Sequence, residues 1–266
     1  MRSNSRNEKS NNFYRYMWNV LMCTLLSCGQ SYKVSAQTTA TNLVVPEWSL
    51  PGSKTHKQVP PPADFHRETV TKNKKIGMFK GQSDVGGALV PGSSAYNKHT
   101  KQYTITSAGY NIWYTRDEFR YLWKKMSGDV SLAADINFPD TAGYFDRKVV
   151  LIIRQNLDDD SKEAMVALHG GGLVHLAWRP SKGESIQQMR VDQKGALRLG
   201  IEKRGDSLAI FVSQNGEPLH QFGNPVQLHF DGTFYVGIGF TSHQPVTPDT
   251  AILSNVVLED EAGKVR

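Results

Sequence analysis

Three features of the chain predict an all-β fold, an antiparallel β-sandwich or jelly roll. From Ile76 onward, apolar residues come in short runs separated by turn residues, with no sustained 3.6-residue period. The clearest run puts Val130, Leu132, Ala134, Ile136 and Phe138 on one face and Ser131, Ala133, Asp135 and Asn137 on the other. That two-residue period is what a strand with one buried face requires. Lys148–Arg154 is instead apolar on both faces, as in a central strand covered on each side, with Arg154 and Gln155 expected to emerge at its rim.

The remaining elements follow in order. Asp117–Lys125 lacks Gly and Pro and could be helical, but Phe119, Tyr121 and Trp123 alternate at period two, which favours a strand. Ala164–His169 and Leu173–Arg179 flank Gly170-Gly171-Gly172, a turn that tolerates positive φ and predicts a hairpin. Leu197, Leu199 and Ile201 alternate with Arg198, Gly200 and Glu202; Arg204-Gly205-Asp206 is a turn; Leu208, Ile210 and Val212 share the next apolar face. Asn215-Gly216 is a strong turn pair. Phe234, Val236, Ile238 and Phe240 alternate with Tyr235, Gly237, Gly239 and Thr241, where the glycines would leave backbone room for a ligand, and Ala251–Leu258 closes the domain. These runs amount to about ten to twelve strands. A domain of roughly 190 residues buries about 70% of its unfolded surface, enough for stability without disulfides. No internal repeat of fixed period is present, which disfavours propellers and solenoids.

Upstream of this domain, residues 1–36 read as an export signal. They hold Arg2, Arg6, Lys9, Arg15 and Lys33 against Glu8 alone, and Met17–Ser27 is an apolar run too short to span a bilayer. Two processing sites compete: Val34-Ser35-Ala36 before Gln37, and Leu25-Leu26-Ser27-Cys28, which would make Cys28 a lipidated first residue. The mature protein is therefore expected in the periplasm or outside the cell, free or lipid-anchored, with no transmembrane segment. Residues 37–75 carry Pro46, Pro51, Pro60-Pro61-Pro62 and Lys72-Asn73-Lys74-Lys75, a composition for an extended arm or linker. Trp48, Phe65 and His66 favour an arm laid on the domain, and a surface for envelope proteins. The domain itself spans 76–258, followed by a polar tail, 259–266.

The net charge of +6 comes from these N-terminal segments, because residues 76–266 hold 20 basic and 21 acidic residues. Without a basic face there are few counterions to release, so nucleic acid is excluded as a partner. The chain has 2 cysteines, Cys23 and Cys28, both in the leader. Disulfides, thiolate zinc sites and thiol nucleophiles are thereby excluded from the domain.

The residues Ile76-Gly77, Gly81–Gly86, Tyr103-Thr104-Ile105, Asn111-Ile112-Trp113, Trp123-Lys124-Lys125, Ser127–Val130, Arg147-Lys148 and Ile153-Arg154-Gln155 resemble a bacterial, secreted branch of the concanavalin A-like lectin/glucanase superfamily. Ala167–Gly170, Ile201–Asp206, Tyr235–Gly239 and Ser242-His243 extend the resemblance, which covers about residues 76–258. It implies a jelly roll of two curved sheets whose concave face or rim often holds carbohydrate. Members of this branch also occur attached to Tol-like β-propellers and carry a "biopolymer transporter" label; no propeller is present here.

Catalytic relatives use an E-x-D-x-x-E strand, because hydrolysis holds two carboxylates across one bond; this chain has no such motif, and no catalytic residue is assigned. G-x-S-x-G, H-E-x-x-H and phosphate-loop motifs are absent too. Asp158-Asp159-Asp160 and Glu259-Asp260-Glu261 read as solvated surface, the first with a loose calcium site as its sharper alternative; no other cofactor or metal is implied. Sugar recognition needs aromatic faces and a few charged or amide groups. The candidate binding residues are Trp113, Tyr114, Lys124, Asp135, Arg154, His169, Trp178, Arg198, Glu202 and His243. Three functional readings remain: a noncatalytic polysaccharide-binding module, a glycoside-acting enzyme using separated carboxylates such as Asp135 and Glu202, and an envelope adaptor.

Overall fold

A computed structural model describes residues 66–214 and 216–265, without the side chains of residues 192–194. Among these residues there are seventeen strands and no helix. They are β1 (Val70–Lys72), β2 (Gly81–Val85), β3 (Ser93–Asn97), β4 (Gln102–Gly109), β5 (Ile112–Trp113), β6 (Arg116–Asp117), β7 (Phe119–Met126) and β8 (Val130–Asn137). The chain continues through β9 (Lys148–Arg154), β10 (Glu163–His169), β11 (Leu173–Arg179), β12 (Gln187–Lys194), β13 (Arg198–Arg204), β14 (Ser207–Ser213), β15 (His220–Gln227), β16 (Phe234–Thr241) and β17 (Gln244–Glu259).

Every pairing is antiparallel. One sheet has the order β1-β2-β7-β16-β9-β10-β11-β12, the other β15-β14-β13-β8-β17-β4-β3, and β5-β6 forms a small ribbon of its own. The chain therefore has the all-β sandwich architecture that its period-two runs predict. The count exceeds the expected ten to twelve in part because some of the additional strands have little buried face, and in part because β5 and β6 have only two residues each, too few to show a period. β1 is three exposed residues, β3 is a half-exposed edge, and β15 is polar and exposed along nearly its whole length. Strands stabilised mainly by ladder hydrogen bonds leave no alternation to read. β1 lies in the segment read as an arm, and pairs with β2 from Val70↔Asp84 to Lys72↔Gln82. His66 touches the domain at Asp159 and Arg116, whereas Trp48, Phe65 and Asn215 fall outside the described residues.

The sheets close on one apolar core. Val149, Leu151 and Ile153 of β9, Val236, Ile238 and Phe240 of β16, and Leu132 and Ile201 of the facing sheet are all fully buried there. The outer face of the larger sheet is also buried in its middle. Val150, Ile152, Met165, Ala167 and Ala177 pack with Phe119 and Tyr121 beneath Ile112 in a second apolar cluster. This explains why β9 reads as apolar on both faces.

What holds that cover down is ionic. Arg179 donates from both terminal nitrogens to the two oxygens of Asp117, at 2.8 Å each, and Arg154 donates to Asp117 at 2.6 Å. Glu163 accepts from Arg154 and lies 3.4 Å from Arg179, and all four side chains are completely buried. Arg154 thus does not emerge at a rim as its place at a strand end suggested, because the chain around Asp158 folds over it and Asp158 O accepts from it at 2.5 Å. Burial raises the Asp117 carboxyl, but the Arg179 and Arg154 guanidiniums together outweigh this and hold it below the usual carboxylate range. The space over Gly239 is likewise filled rather than open, since a Cβ there would sit 2.7 Å from the Phe119 ring.

Removing one member of a buried ion cluster strands its partners. Asp117→Asn should cost about 3–5 kcal/mol, seen as a lower urea midpoint with an unchanged slope. A loss under about 1 kcal/mol, the value of an exposed ion pair, would contradict this description.

Candidate functional site

The cover ends before the sheet does. At the far ends of β9, β10 and β11 the outer face opens into a cleft of about 200 Å³. Its floor is built by register. Lys148 pairs with His169 across β9 and β10, and His175 pairs with Arg190 across β11 and β12 one row away. With side chains alternating at period two, these residues share the outer face. Three chain segments form the walls: Tyr110–Tyr114 leading into and out of β5, Tyr144 and Asp146 from the β8–β9 connection, and His243 in the β16–β17 turn.

The aromatic groups stand in two stacks. Trp113 lies on His175 (5.3 Å between centroids, 13° between planes), and His169 meets His175 edge-on at 5.0 Å. Tyr144 lies on His243 at 5.2 Å and 9°, with Tyr110 on its other side at 6.2 Å. Two wall residues hold a left-handed backbone, Tyr114 at φ 54° and His243 at φ 62°. Such conformations cost non-glycine residues on the order of 1–3 kcal/mol and persist where surrounding structure imposes them. For Tyr114 the restraint is visible: its carbonyl accepts from Ile186 N at 2.9 Å, and the next two residues enter β6, where Asp117 is fixed.

The polar floor is incompletely satisfied. Lys148 is 1% exposed, donates one long hydrogen bond to Ile112 O (3.3 Å) and lies 5.2 Å from the Trp113 ring centre. Burial lowers its pKa to about 8. Neither ring nitrogen of His169 or His175 makes a hydrogen bond in the normal range. Asp146 Oδ1 stands 3.7 Å from His169 Nδ1. Burial lowers His169 to about 4 and His175 well below its ordinary value, so both rings are neutral near pH 7. Asp146 is held low, chiefly by the His169 ring beside it.

Of the residues singled out in the sequence, Trp113, Tyr114, His169 and His243 meet in this cleft. Arg154 belongs to the buried ion cluster. Asp135 and Arg198 pair at 2.7 Å on the outer face of the other sheet, in a shallow depression there. Glu202 shares that sheet, taken up by Ser131, Gly263 N and Arg204. Trp178 packs against the inter-sheet core, and Lys124, half-buried, shares the inward face of β7 with Leu122 and Met126. The acids Asp158, Asp159 and Asp160 are not simply solvated. Lys182 binds Asp158 at 2.5 Å and Asp160 at 2.6 Å, and His66 binds Asp159 at 3.0 Å. His66, Asp159 and Asp160 place donor atoms within 4.8 Å of one another, but Lys182 and the Arg116 guanidinium, 3.0 Å from His66, already supply positive charge there. Tyr110, Tyr144, Asp146, Lys148, His175, Gln188 and Arg190 line the cleft without having been singled out.

No protein-family model matches the sequence, and neither does any curated protein. Solved structures do resemble the fold. A functionally unknown protein from Saccharomyces cerevisiae is 10% identical with a TM-score of 0.50, covering 73% of this chain and 97% of that one. The carbohydrate binding module CBM66 from Bacillus subtilis is 15% identical, TM-score 0.44, covering 64% and 92%. The alginate lyase from Klebsiella pneumoniae is 12% identical, TM-score 0.43, covering 64% and 84%. At such identities the likeness is one of fold alone.

The unfolded chain protonates His169 near pH 6.5, whereas the folded protein keeps it neutral to about pH 4. The unfolded state therefore binds the extra proton in that window, and native stability falls as pH drops through it. Across the window His169→Gln should reduce this loss by about 3 kcal/mol relative to the parent, measured by urea unfolding at several pH values. Parallel stability curves would contradict the burial assigned to the ring.

Proposed function

We propose that this protein is an exported, noncatalytic carbohydrate-binding β-sandwich of the bacterial envelope or exterior, and that the cleft on its larger sheet is the binding site. One observation carries the reading. Trp113, Tyr110, Tyr114 and Tyr144 wall a recess whose floor offers lysine, imidazole and amide groups. Sugars present C–H faces to aromatic rings and hydroxyls to polar groups, so the recess supplies both halves of that recognition. Export rests on the basic and apolar leader with its competing processing points at Ala36 and Cys28. Membership of the secreted branch, with envelope proteins as further partners of residues 37–75, rests on the sequence resemblance.

The noncatalytic part of the proposal is supported by the carboxylates. Asp146 is the one carboxylate among the cleft-lining residues, so the acid and its partner needed for glycoside hydrolysis are not paired there. Asp117 and Glu163 are committed to arginines, as is Asp135. A second reading, an enzyme that cleaves by elimination, is favoured by one specific feature: neutral His169 and His175 beside Lys148 and Tyr144 are groups able to move a proton.

The test is a titration of the purified chain with plant, algal and bacterial polysaccharides, followed by tryptophan fluorescence and by assay for new reducing ends or unsaturated sugars. A saturable change with one polymer class is expected, weakened tenfold or more, about 1.4 kcal/mol, by Trp113→Ala and unaffected by Trp178→Phe. Chain cleavage would move the conclusion to the enzyme. A folded protein that answers no polymer would contradict both and leave the adaptor.

A further inference from the structure

We propose that the sugar unit held in this cleft is anionic, carrying a carboxylate or sulfate group whose oxygens are received by Lys148 together with His169 and His175. The inference rests on the carbohydrate reading of the site and adds to it the ligand's charge.

The argument begins with what the floor lacks. Buried polar groups in a folded protein are nearly always hydrogen-bonded, and a buried charge is nearly always paired. Lys148 is buried with no carboxylate in salt-bridge contact, its one hydrogen bond going to a backbone carbonyl at 3.3 Å. Beside it the imidazole nitrogens of His169 and His175 are buried with no hydrogen bond of normal length, Asp146 facing His169 Nδ1 at 3.7 Å and Gln188 lying by His175. All of these groups face the same recess. A neutral sugar brings hydroxyls, which satisfy such atoms singly. An anionic group brings two or three acceptor oxygens and the charge that a buried ammonium is missing.

The charge around Lys148 points the same way. From its own approach comes Asp146, partly exposed at the mouth; from β10 and β11 come His169 and His175; from β12 comes Arg190; and from the walls come Tyr144 and His243. Asp117 and Glu163 act on it from further along the face, but both are engaged by Arg154 and Arg179. Lys148 and Arg190 against one rim carboxylate leave the recess electropositive. Asp146 adds a further constraint, since its approach to His169 Nδ1 favours the proton on that nitrogen and leaves Nε2 to accept. An anion facing Nε2 is received only if the ring takes up a proton. Binding is thus coupled to protonation: it strengthens as pH falls below neutrality and weakens as pH rises past about 8, where Lys148 loses its charge.

The experiment is calorimetric titration of the full-length protein with an oligogalacturonate, its fully methyl-esterified counterpart, and a sulfated galactan oligosaccharide, between about pH 6 and about pH 9. The expected result is binding of one or both anionic probes at least tenfold tighter than the ester. That binding should weaken with added salt and with rising pH, and weaken tenfold or more in Lys148→Gln. The uronate and sulfate arms identify which anion is preferred. Arg190→Gln changes an exposed residue that the fold does not need, and should weaken the anionic probes severalfold even if the Lys148 variant misfolds. Equal binding of acid and ester, indifferent to pH and to both substitutions, would overturn the anionic assignment while leaving carbohydrate binding intact. Failure of every probe, charged or neutral, would overturn both.

Discussion

Asp117, clamped by two buried guanidiniums, is the constraint on which the rest of the outer face depends. An antiparallel sheet can leave one face to water, and β9–β11 would do so if the chain between Tyr110 and Glu118 did not cross them. That crossing is short and has little regular structure, two paired residues in each of β5 and β6. It stays down because Asp117 receives three hydrogen bonds from Arg154 and Arg179, which no solvent competes for. Ile112 then caps the second apolar cluster, Trp113 reaches His175, and Tyr114 is held in a left-handed conformation at the wall of the cleft. The site is thus a consequence of where the cover stops.

The two ends of this face use polar groups oppositely. At the Arg154 end every charge has a partner of opposite sign, and burial is tolerated because the cluster is closed. At the Lys148 end nitrogen groups are buried without such partners, so the fold carries a cost that grows on acidification. Locally unsatisfied polar groups beside strained backbone are where function is expected. The anionic sugar proposed here would supply the counter-charge that buried Lys148 lacks.

Much of the fold was legible because its strands bury one face and expose the other, as β8, β13 and β16 do. The edges β1, β3 and β15 were not, since they bury too little to leave a pattern. Trp113, Tyr114, His169 and His243 were identified by residue type alone, and the cleft unites them. Lys148, His175 and Arg190 are not among the binding candidates for a different reason. Lys148 looks like the polar start of an apolar strand, and only the register of β9 through β12 shows that it shares a face with the histidines. The same ignorance of pairing placed Arg154 at an open rim and grouped Trp178, Asp135 and Arg198 with His169 as binding residues, although Trp178 packs against the core and Asp135 and Arg198 lie on the other sheet. A sequence states which residues alternate; which alternating faces meet is decided by long-range pairing.

The most direct test of the cleft as the working site is nitrogen NMR of protein labelled in histidine and tryptophan, recorded with and without a bound saccharide. Changes confined to the Trp113 indole and the rings of His169, His175 and His243, with an imidazole gaining a proton in the complex, are the predicted result. Changes centred on Trp178, or on His220 and His229 of the smaller sheet and its margin, would contradict it.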